Sequence, residues 1–195
     1  MFVHEPTTGM SILELVVVAF WLMLPAYVPN NAAVLFGGGR PIDDGKTWRG
    51  KRILGDGKTW RGTIAGTAVG AVLALVLTVL AADLSTLTGI DLPEFSLVAT
   101  LTLPFGALLG DMTASFIKRR SGRERGAPFP GLDQLDFVVM ALALTAAVDF
   151  AVTGLAWMGE QFTLPVLVVI FVMTPILHVV TNVGAYKLGL KDEPW

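Results

Sequence analysis

Acidic and basic residues gather in two short stretches of an otherwise apolar sequence, a combination that suits phosphate and metal chemistry. Asp111 lies near the end of a long apolar segment, and Asp133 and Asp136 stand three residues apart at the start of the next one. A carboxylate at membrane depth costs about 3 kcal/mol on insertion scales, so it usually faces a partner or a cavity. Mg²⁺ binds one or two carboxylates together with phosphate oxygens, so carboxylates beside a basic cluster are what a magnesium–nucleotide site requires. First-turn acids also favour helix starts, which would explain Asp133 but not Asp111, at the wrong end of its helix.

The other stretch repeats the hexapeptide GKTWRG, at 45–50 and again at 57–62. Glycines recur throughout it, and its cations are Lys46, Arg49, Lys51, Arg52, Lys58 and Arg61. Glycine beside Lys and Arg lets backbone N–H groups face a polyphosphate. A P-loop is excluded, because the glycine it needs five residues before Gly-Lys is replaced by Arg40 and Arg52. Basic loops also attract anionic headgroups in any membrane protein, but that explanation accounts for neither the glycines nor the aspartates.

Five apolar segments must position these residues. Of the 195 residues 53% are hydrophobic and 15% are charged, whereas soluble domains carry roughly 25% charged residues. The segments are about 10–29, 62–82, 95–117, 134–157 and 164–186. Each is long enough to cross ~30 Å of hydrocarbon as a helix, the form that leaves no backbone group unpaired in lipid. The sequence therefore predicts an all-α integral membrane protein with one membrane domain, in which loops 30–61 and 118–133 form a polar site.

Lysine and arginine are confined to one side of the predicted spans. All 14 fall in loop 30–61, in loop 118–133 or at the C-terminal end. The opposite side carries acids instead, namely Glu5, Asp83, Asp91, Glu94 and Glu160. The positive-inside rule then places the N-terminus outside and the C-terminus in the cytoplasm, in a multi-pass protein of the cell membrane.

Gly62, Gly66 and Gly70 recur every four residues at the start of the second span. A helix face of this kind lets another helix approach closely. We predict that it packs within the chain, and a dimer seam is the alternative.

The stretch 110–137, GDMTASFIKRRSGRERGAPFPGLDQLDF, resembles the signature of CTP-dependent phosphatidate cytidylyltransferases. The matching positions are Gly110, Asp111, Ser115, Lys118, Arg119, Pro130, Gly131, Asp133 and Asp136. Leu132 and Asp133 stand where bacterial and eukaryotic members have His-Gly-Gly, and those members are usually larger. The short form with a GDGKTWRG loop after the first span is similar to the archaeal branch of the family.

This resemblance implies a reaction and a set of roles. CTP and an archaeal ether-lipid phosphate, 2,3-bis-O-geranylgeranyl-glycerol 1-phosphate, would give a CDP-activated lipid and pyrophosphate, with Mg²⁺ as cofactor. Asp111, Asp133 and Asp136 would bind Mg²⁺. The lipid phosphate or the leaving pyrophosphate would be held by Lys118, Arg119 and Arg120, and the triphosphate by Gly57, Lys58, Arg61 and Gly62. The partners would be CTP, the lipid phosphate and membrane lipids, without nucleic acid, and an oligomer is left open.

For several further residues the sequence leaves two interpretations open. Asp56 would contact metal or ribose, Ser115 would donate to a phosphate or simply pack, and Asn30 with Asn31 would read cytosine or cap a helix. His178 is expected to be a satisfied buried histidine, and Asp149 to line a cavity.

Two other functions compete with this one. A CDP-alcohol phosphatidyltransferase needs a DGxxAR stretch, which the sequence lacks. A small transporter or lipid-binding scaffold would explain the basic loops, but it leaves Asp111, Asp133 and Asp136 without a shared role.

Overall fold

The structure, a computed structural model, describes residues 9–121 and 131–189. Glu5 and Pro130, which the sequence analysis used, lie outside these ranges. The described chain forms helices and one short antiparallel hairpin of β1 (Thr47–Trp48) and β2 (Lys51–Arg52). The helices are α1 (Ile12–Tyr27), α2 (Pro29–Leu35), α3 (Trp60–Thr88), α4 (Leu97–Arg120), α5 (Leu132–Thr153), α6 (Ala156–Gln161) and α7 (Leu164–Lys187).

Within the described ranges, 5 helical segments are long and apolar enough to cross a membrane, which confirms the predicted all-α membrane fold. They are α1 with α2, then α3, α4, α5 and α7. Both polar loops are shorter than predicted, because α2 continues the first span to Leu35 and α4 continues to Arg120. We call the end of the bundle with residues 36–59 and 118–121 the basic end, and the end with residues 89–96 and α6 the acidic end.

Local sequence explains where these helices begin and bend. Ser11, Thr59 and Ser96 each accept a hydrogen bond from a backbone N–H of the first turn that follows, as N-cap residues do. The first span breaks between Tyr27 and Pro29. Pro29 has no N–H to donate to the carbonyl four residues earlier, so the helix bends there.

The glycine face of α3 packs inside the chain, as predicted. A Cβ atom added to Gly62, Gly66 or Gly70 would lie 3.0, 2.6 and 2.7 Å from the carbonyl oxygens of Ala33, Pro29 and Pro25 respectively. The three glycines of α3 are spaced four residues apart, and so are the three carbonyls of the first span that they contact. The contact fixes α2, and with it Asn30 and Asn31, beside the start of α3.

Gly70→Val is expected to destabilise the protein by about 1–3 kcal/mol or to prevent folding, because the branched side chain overpacks this contact. The added atoms would also meet Pro104 and Pro29. Gly159→Ala in α6, where an added Cβ has nothing within 4 Å, is the matched control and should leave stability unchanged. Thermal unfolding in detergent measures both. Equal melting temperatures for the two variants would show that α3 is not closely packed here.

Asp149 stabilises the acidic end and lines none of the described cavities, contrary to the expectation from sequence. It is fully buried, and its carboxylate accepts hydrogen bonds from the backbone N–H of Met158 at 2.8 Å and the hydroxyl of Thr153 at 2.8 Å. The N–H of Met158 is one of the donors that the start of helix α6 leaves unpaired. Asp149 therefore ties α6 to the end of α5.

Candidate active site between α1, α4, α5 and α7

Two glycines bring α4 and α5 into backbone contact at the basic end. A Cβ added to Gly106 would lie 2.7 Å from Cα of Ala141, and one added to Gly110 would lie 2.6 Å from Cα of Phe137. Small residues four apart permit such close approach. The contact brings Asp111, which follows Gly110, beside the first turns of α5, where Asp133 and Asp136 lie.

These three aspartates line one cavity of about 650 Å³, as the sequence analysis anticipated for a shared site. Asn30 and Asn31 line it from α2, and Tyr27 and Phe137 form an edge-to-face aromatic pair in its wall, with ring centroids 5.9 Å apart. Cavities of roughly 300–1,000 Å³ are the usual size of small-molecule sites. Neither Asn30 nor Asn31 caps α2, which begins without a side-chain cap.

Lysines neutralise two of the three acids. Lys58 donates to Asp111, and Lys118 pairs with Asp133. All four side chains are between about a quarter and a third exposed, so the pairs are partly accessible to solvent and not in a dry core. The first pair joins the GKTWRG loop to α4, and the second joins α4 to α5.

Asp136 lies deeper than the lysine pairs and has no lysine of its own among the described residues. One carboxylate oxygen accepts from the backbone N–H of Phe137 at 2.6 Å, and the group interacts electrostatically with Asp111, Asp133 and Lys118. It also lines a second, apolar groove of about 400 Å³ between α4 and α5. Asp136 therefore lines both the polar cavity and the apolar groove.

The two copies of GKTWRG have different structures. In the first copy, Arg49 and Gly50 have φ values of 52° and 75° and form the two-residue turn between β1 and β2. In the second copy, Thr59 caps α3 by accepting from the N–H of Gly62 at 3.1 Å, and Lys58 reaches Asp111. The first copy is exposed throughout, whereas the second copy lines a small side pocket that it shares with Asn30 and Asp111.

A buried aspartate holds this loop together. Asp43 accepts from the backbone N–H groups of Leu54 and Gly55, both at 2.9 Å, and from the guanidinium of Arg52 at 2.7 Å. The Arg52 hydrogen bond, helped by these backbone donors and opposed by burial, holds the pKa of Asp43 well below its usual range. Asp43 is therefore expected to remain ionised between pH 7 and pH 5.

Arg119 and Arg120 bind this loop from α4. Arg119 donates to the carbonyl of Leu54 at 2.8 Å and lies directly against Gly55. Arg120 donates to the carbonyls of Trp48, Lys51 and Arg52, and its guanidinium stacks over Trp48 and Phe116. Sequence analysis expected both to bind phosphate, whereas the structure gives their guanidinium groups loop carbonyls as partners.

Asp43→Asn is expected to speed hydrogen exchange at the amides of Leu54 and Gly55 about tenfold at pH 7, because the charge-assisted acceptor is lost. Because the pKa of Asp43 is depressed in the folded protein, its stabilising effect is fully present above the ordinary carboxylate pKa of about 4. This effect declines as the pH falls below that value. Exchange corrected for intrinsic rate should then be constant from pH 7 to 5 in the unmodified protein. Equal protection in the variant and the unmodified protein at pH 7 would contradict this role.

Other predicted residues lie away from the cavity. Asp56 is 72% exposed and pairs with Arg52 at 2.6 Å, and Arg61 is exposed on the first turn of α3. Ser115, one turn beyond Asp111, is half-buried and is outside the described cavity lining. Gly57 and Gly62 line a side pocket of about 40 Å³ together with Asn30, Lys58 and Asp111.

Helix α7 supplies a wall that sequence analysis missed. Thr174, His178 and Asn182 fall on one face of α7 and line the same cavity as the acids. His178, expected to be a satisfied buried histidine, is partly buried and lines the cavity. Polar residues four apart in an apolar span were the available signal, since such residues usually face a bundle interior.

The side chains of the cavity suit a hard divalent cation. Carboxylate and amide oxygens are the donors that Mg²⁺ prefers, and Oδ1 of Asn30 is buried with no hydrogen-bond partner in the described part of the chain. No group of three or more His, Cys or acidic side chains in the described ranges is already close enough to hold an ion. Instead Lys58 and Lys118 supply positive charge at two of the acids.

Comparison with known proteins assigns the chain to a family. The family described as CarS-like CDP-archaeol synthase matches residues 12–195. The CDP-archaeol synthase of Halorubrum lacusprofundi is 67% identical over 93% of this chain and 98% of its own, and that of Haloarcula marismortui is 64% identical over 95% and 100%. A solved structure of an intramembrane enzyme for archaeal membrane lipid biosynthesis has a TM-score of 0.68 at 37% identity, covering 86% of this chain and 94% of the other.

Proposed function

The chain belongs to the CarS-like family of CDP-archaeol synthases, and we propose that its CTP-dependent reaction takes place in the cavity between α1, α4, α5 and α7. It is a multi-pass membrane enzyme that transfers the cytidylyl group of CTP to an archaeal lipid phosphate, giving CDP-archaeol and pyrophosphate. A transporter or scaffold is not favoured. The observation that carries the location is the convergence of Asp111, Asp133 and Asp136 on one cavity, with Lys58 and Lys118 paired to two of these acids.

Family membership indicates dependence on a divalent cation, and we propose Mg²⁺, held by Asp111, Asp133 and Asp136 with Oδ1 of Asn30 nearby. The cation supplies charge neutralisation for the triphosphate and for the leaving pyrophosphate. When substrate binds, Lys58 and Lys118 exchange their carboxylate partners for phosphate oxygens. Asp111 and Asp133, once free of the lysines, would be available with Asp136 to hold the cation.

The lipid phosphate is already an anion, so its oxygen attacks the α-phosphorus of CTP without a strong general base. A bond forms from that oxygen to the α-phosphorus, and the bond from the α-phosphorus to the bridging oxygen of pyrophosphate breaks. Catalysis then depends on alignment and on stabilising charge, which these side chains provide. Lys58 is placed for the triphosphate, and Lys118 for the lipid phosphate or the departing pyrophosphate.

The apolar groove between α4 and α5 suits the lipid. Thr113, Ala114, Leu135, Val139 and Met140 line it, and Asp136 stands at its border with the polar cavity. An isoprenoid chain in this groove would bring its phosphate to the acids. Arg119 and Arg120 act as positioning residues, because they hold the loop that carries Lys58.

The decisive experiment incubates purified protein in detergent with labelled CTP, MgCl₂ and 2,3-bis-O-geranylgeranyl-glycerol 1-phosphate. We expect labelled lipid and an equal amount of pyrophosphate only when all three are present. Folded protein that releases no pyrophosphate under these conditions would overturn the assignment. Pyrophosphate release without lipid would indicate a hydrolase instead.

A further inference from the structure

We infer that the hairpin of the first GKTWRG copy binds anionic lipid headgroups in the leaflet at the basic end of the bundle. We call the exposed side chains of Trp48, Arg49 and Lys51 the hairpin face. The inference does not depend on the proposed reaction, which uses the second copy and leaves the first copy without a role.

The cations of this loop differ in whether the protein already neutralises them. Several are bonded to acids of the same chain, namely Arg40 to Asp44, Arg52 to Asp43 and Asp56, and Lys58 to Asp111. Arg49 and Lys51 are exposed, and neither is ion-paired with an acid in the described part of the chain. Their charge is therefore available to an anion from outside the protein.

Contacts with α4 place the hairpin beside the end of a membrane span. The ring of Trp48 stacks on that of Phe116, with centroids 5.8 Å apart and planes 17° from parallel. Phe116 lies one turn before α4 ends at Arg120, and its neighbour Ile117 is exposed. The hairpin thus packs against the side of the span, at the depth where a helix leaves the hydrocarbon for the headgroups.

The hairpin is fixed in this place by Arg120. The guanidinium of Arg120 lies 5.4 Å from the ring centroids of both Trp48 and Phe116, and it also donates to hairpin carbonyls, including that of Lys51 at 3.1 Å. Arg49 has a φ of 52° in a turn where Asn, Asp or Gly is usual, so displaying this arginine at the tip costs backbone free energy. A surface ordered before binding loses less entropy when a partner arrives.

Exposed aromatic rings at the same end complete the fit to a bilayer surface. Trp48 is 49% exposed, Trp60 at the start of α3 is 52% exposed, and Phe36 just after α2 is 51% exposed. Tryptophan is enriched where membrane meets water, and anionic headgroups attract nearby Lys and Arg. A soluble anion gains nothing from rings held beside a span, so anionic lipid suits this surface best.

Fluorescence quenching in nanodiscs tests the inference. The sequence contains no cysteine, so Thr47→Cys, exposed in β1, carries a single fluorophore beside the hairpin face. The nanodiscs hold equal parts of phosphatidylglycerol and phosphatidylcholine, with a trace of one or the other bearing a nitroxide near its headgroup, and no substrate. Nitroxide phosphatidylglycerol should quench about fivefold more strongly than nitroxide phosphatidylcholine, a preference of the size that a cation at an anionic surface provides.

Matched variants separate this site from general charge. Arg49→Gln with Lys51→Gln, added to Thr47→Cys, should bring the quenching ratio close to one. Arg40→Gln with Asp44→Asn removes an internal pair of the same loop and should keep the ratio. A fluorophore on Leu87→Cys, 81% exposed near the acidic end of α3, should be quenched equally by both lipids.

Two further arms use Thr47→Cys alone, so they do not depend on the folding of the other variants. Sodium chloride at about 1 M should bring the ratio close to one, because the Debye length falls to about 3 Å. Pyrophosphate at matched ionic strength should leave the ratio unchanged, whereas loss of the ratio would assign the cations to a soluble phosphate. Equal quenching by the two lipids, or a ratio that survives Arg49→Gln with Lys51→Gln, would also overturn the inference.

Discussion

Asp136→Asn is expected to lower turnover of CTP at least about 10³-fold, the scale on which loss of a key electrostatic group reduces catalysis. Asparagine keeps the size of the side chain and the contact with the N–H of Phe137, but it removes the negative charge shared by the cavity and the lipid groove. A neutral amide is a much weaker partner for a divalent cation than a carboxylate. Binding of the cation and alignment of both phosphates should fail together.

Stability should change little in this variant, because Asp136 pairs with no cation in the described part of the chain. Thermal unfolding in detergent checks this, and the labelled-CTP assay gives the rate. Asp83→Asn, an exposed acid of α3 near the acidic end, is the control and should retain full activity. Asp133→Asn should resemble Asp136→Asn. Near-normal turnover in either site variant would remove that residue from the active site.

The second large effect on activity is expected from substitution of the lysine in the second copy of the hexapeptide. Lys58→Met should lower kcat/KM for CTP about 10²-fold, since a cation facing the transferring phosphates is lost. Lys46→Met replaces the equivalent lysine of the first copy. It should have little effect, because Lys46 is an exposed residue just before β1. Steady-state kinetics with varied CTP compares the two variants directly.

The pairing of Lys58 with Asp111 adds a stricter test. If both act on the same bound substrate, the double variant Lys58→Met with Asp111→Asn should be less impaired than the product of the single effects. Independent, multiplying losses would show that the two side chains do not share one site. A large loss in Lys46→Met would assign the phosphates to the first copy instead.

Apolar length and glycine spacing predicted much of this fold. The five spans follow from segments that must pair their backbone groups internally, and the glycine face of α3 follows from its four-residue spacing. The boundary at Leu35 was missed because Pro29, Asn30 and Asn31 interrupt the apolar run, and the boundary at Arg120 was missed because α4 ends in three charged residues. Lys118, Arg119 and Arg120 looked like loop residues from composition alone.

The aspartates could be predicted because few roles suit a carboxylate at the end of an apolar span. The partners of Arg119 and Arg120 could not, since the sequence does not show that the hairpin folds against the end of α4. The sequence analysis assigned the triphosphate to Lys58 of the second copy and not to Lys46, but it could not show how Thr59 caps α3 or how Gly62 packs against Ala33. Thr174, His178 and Asn182 were missed as cavity residues because α7 was considered for its apolar length and not for the four-residue spacing of these polar residues.

The central claim is that acids from α4 and α5 and the lysine of the second hexapeptide hold one metal-bound CTP in a single cavity. Anomalous diffraction from crystals grown with CTP and Mn²⁺, as a substitute for Mg²⁺, tests it directly. We expect a manganese peak at bonding distance from carboxylates of the Asp111, Asp133 and Asp136 group, with Lys58 on a phosphate oxygen. A manganese ion and nucleotide bound away from these aspartates would contradict the account.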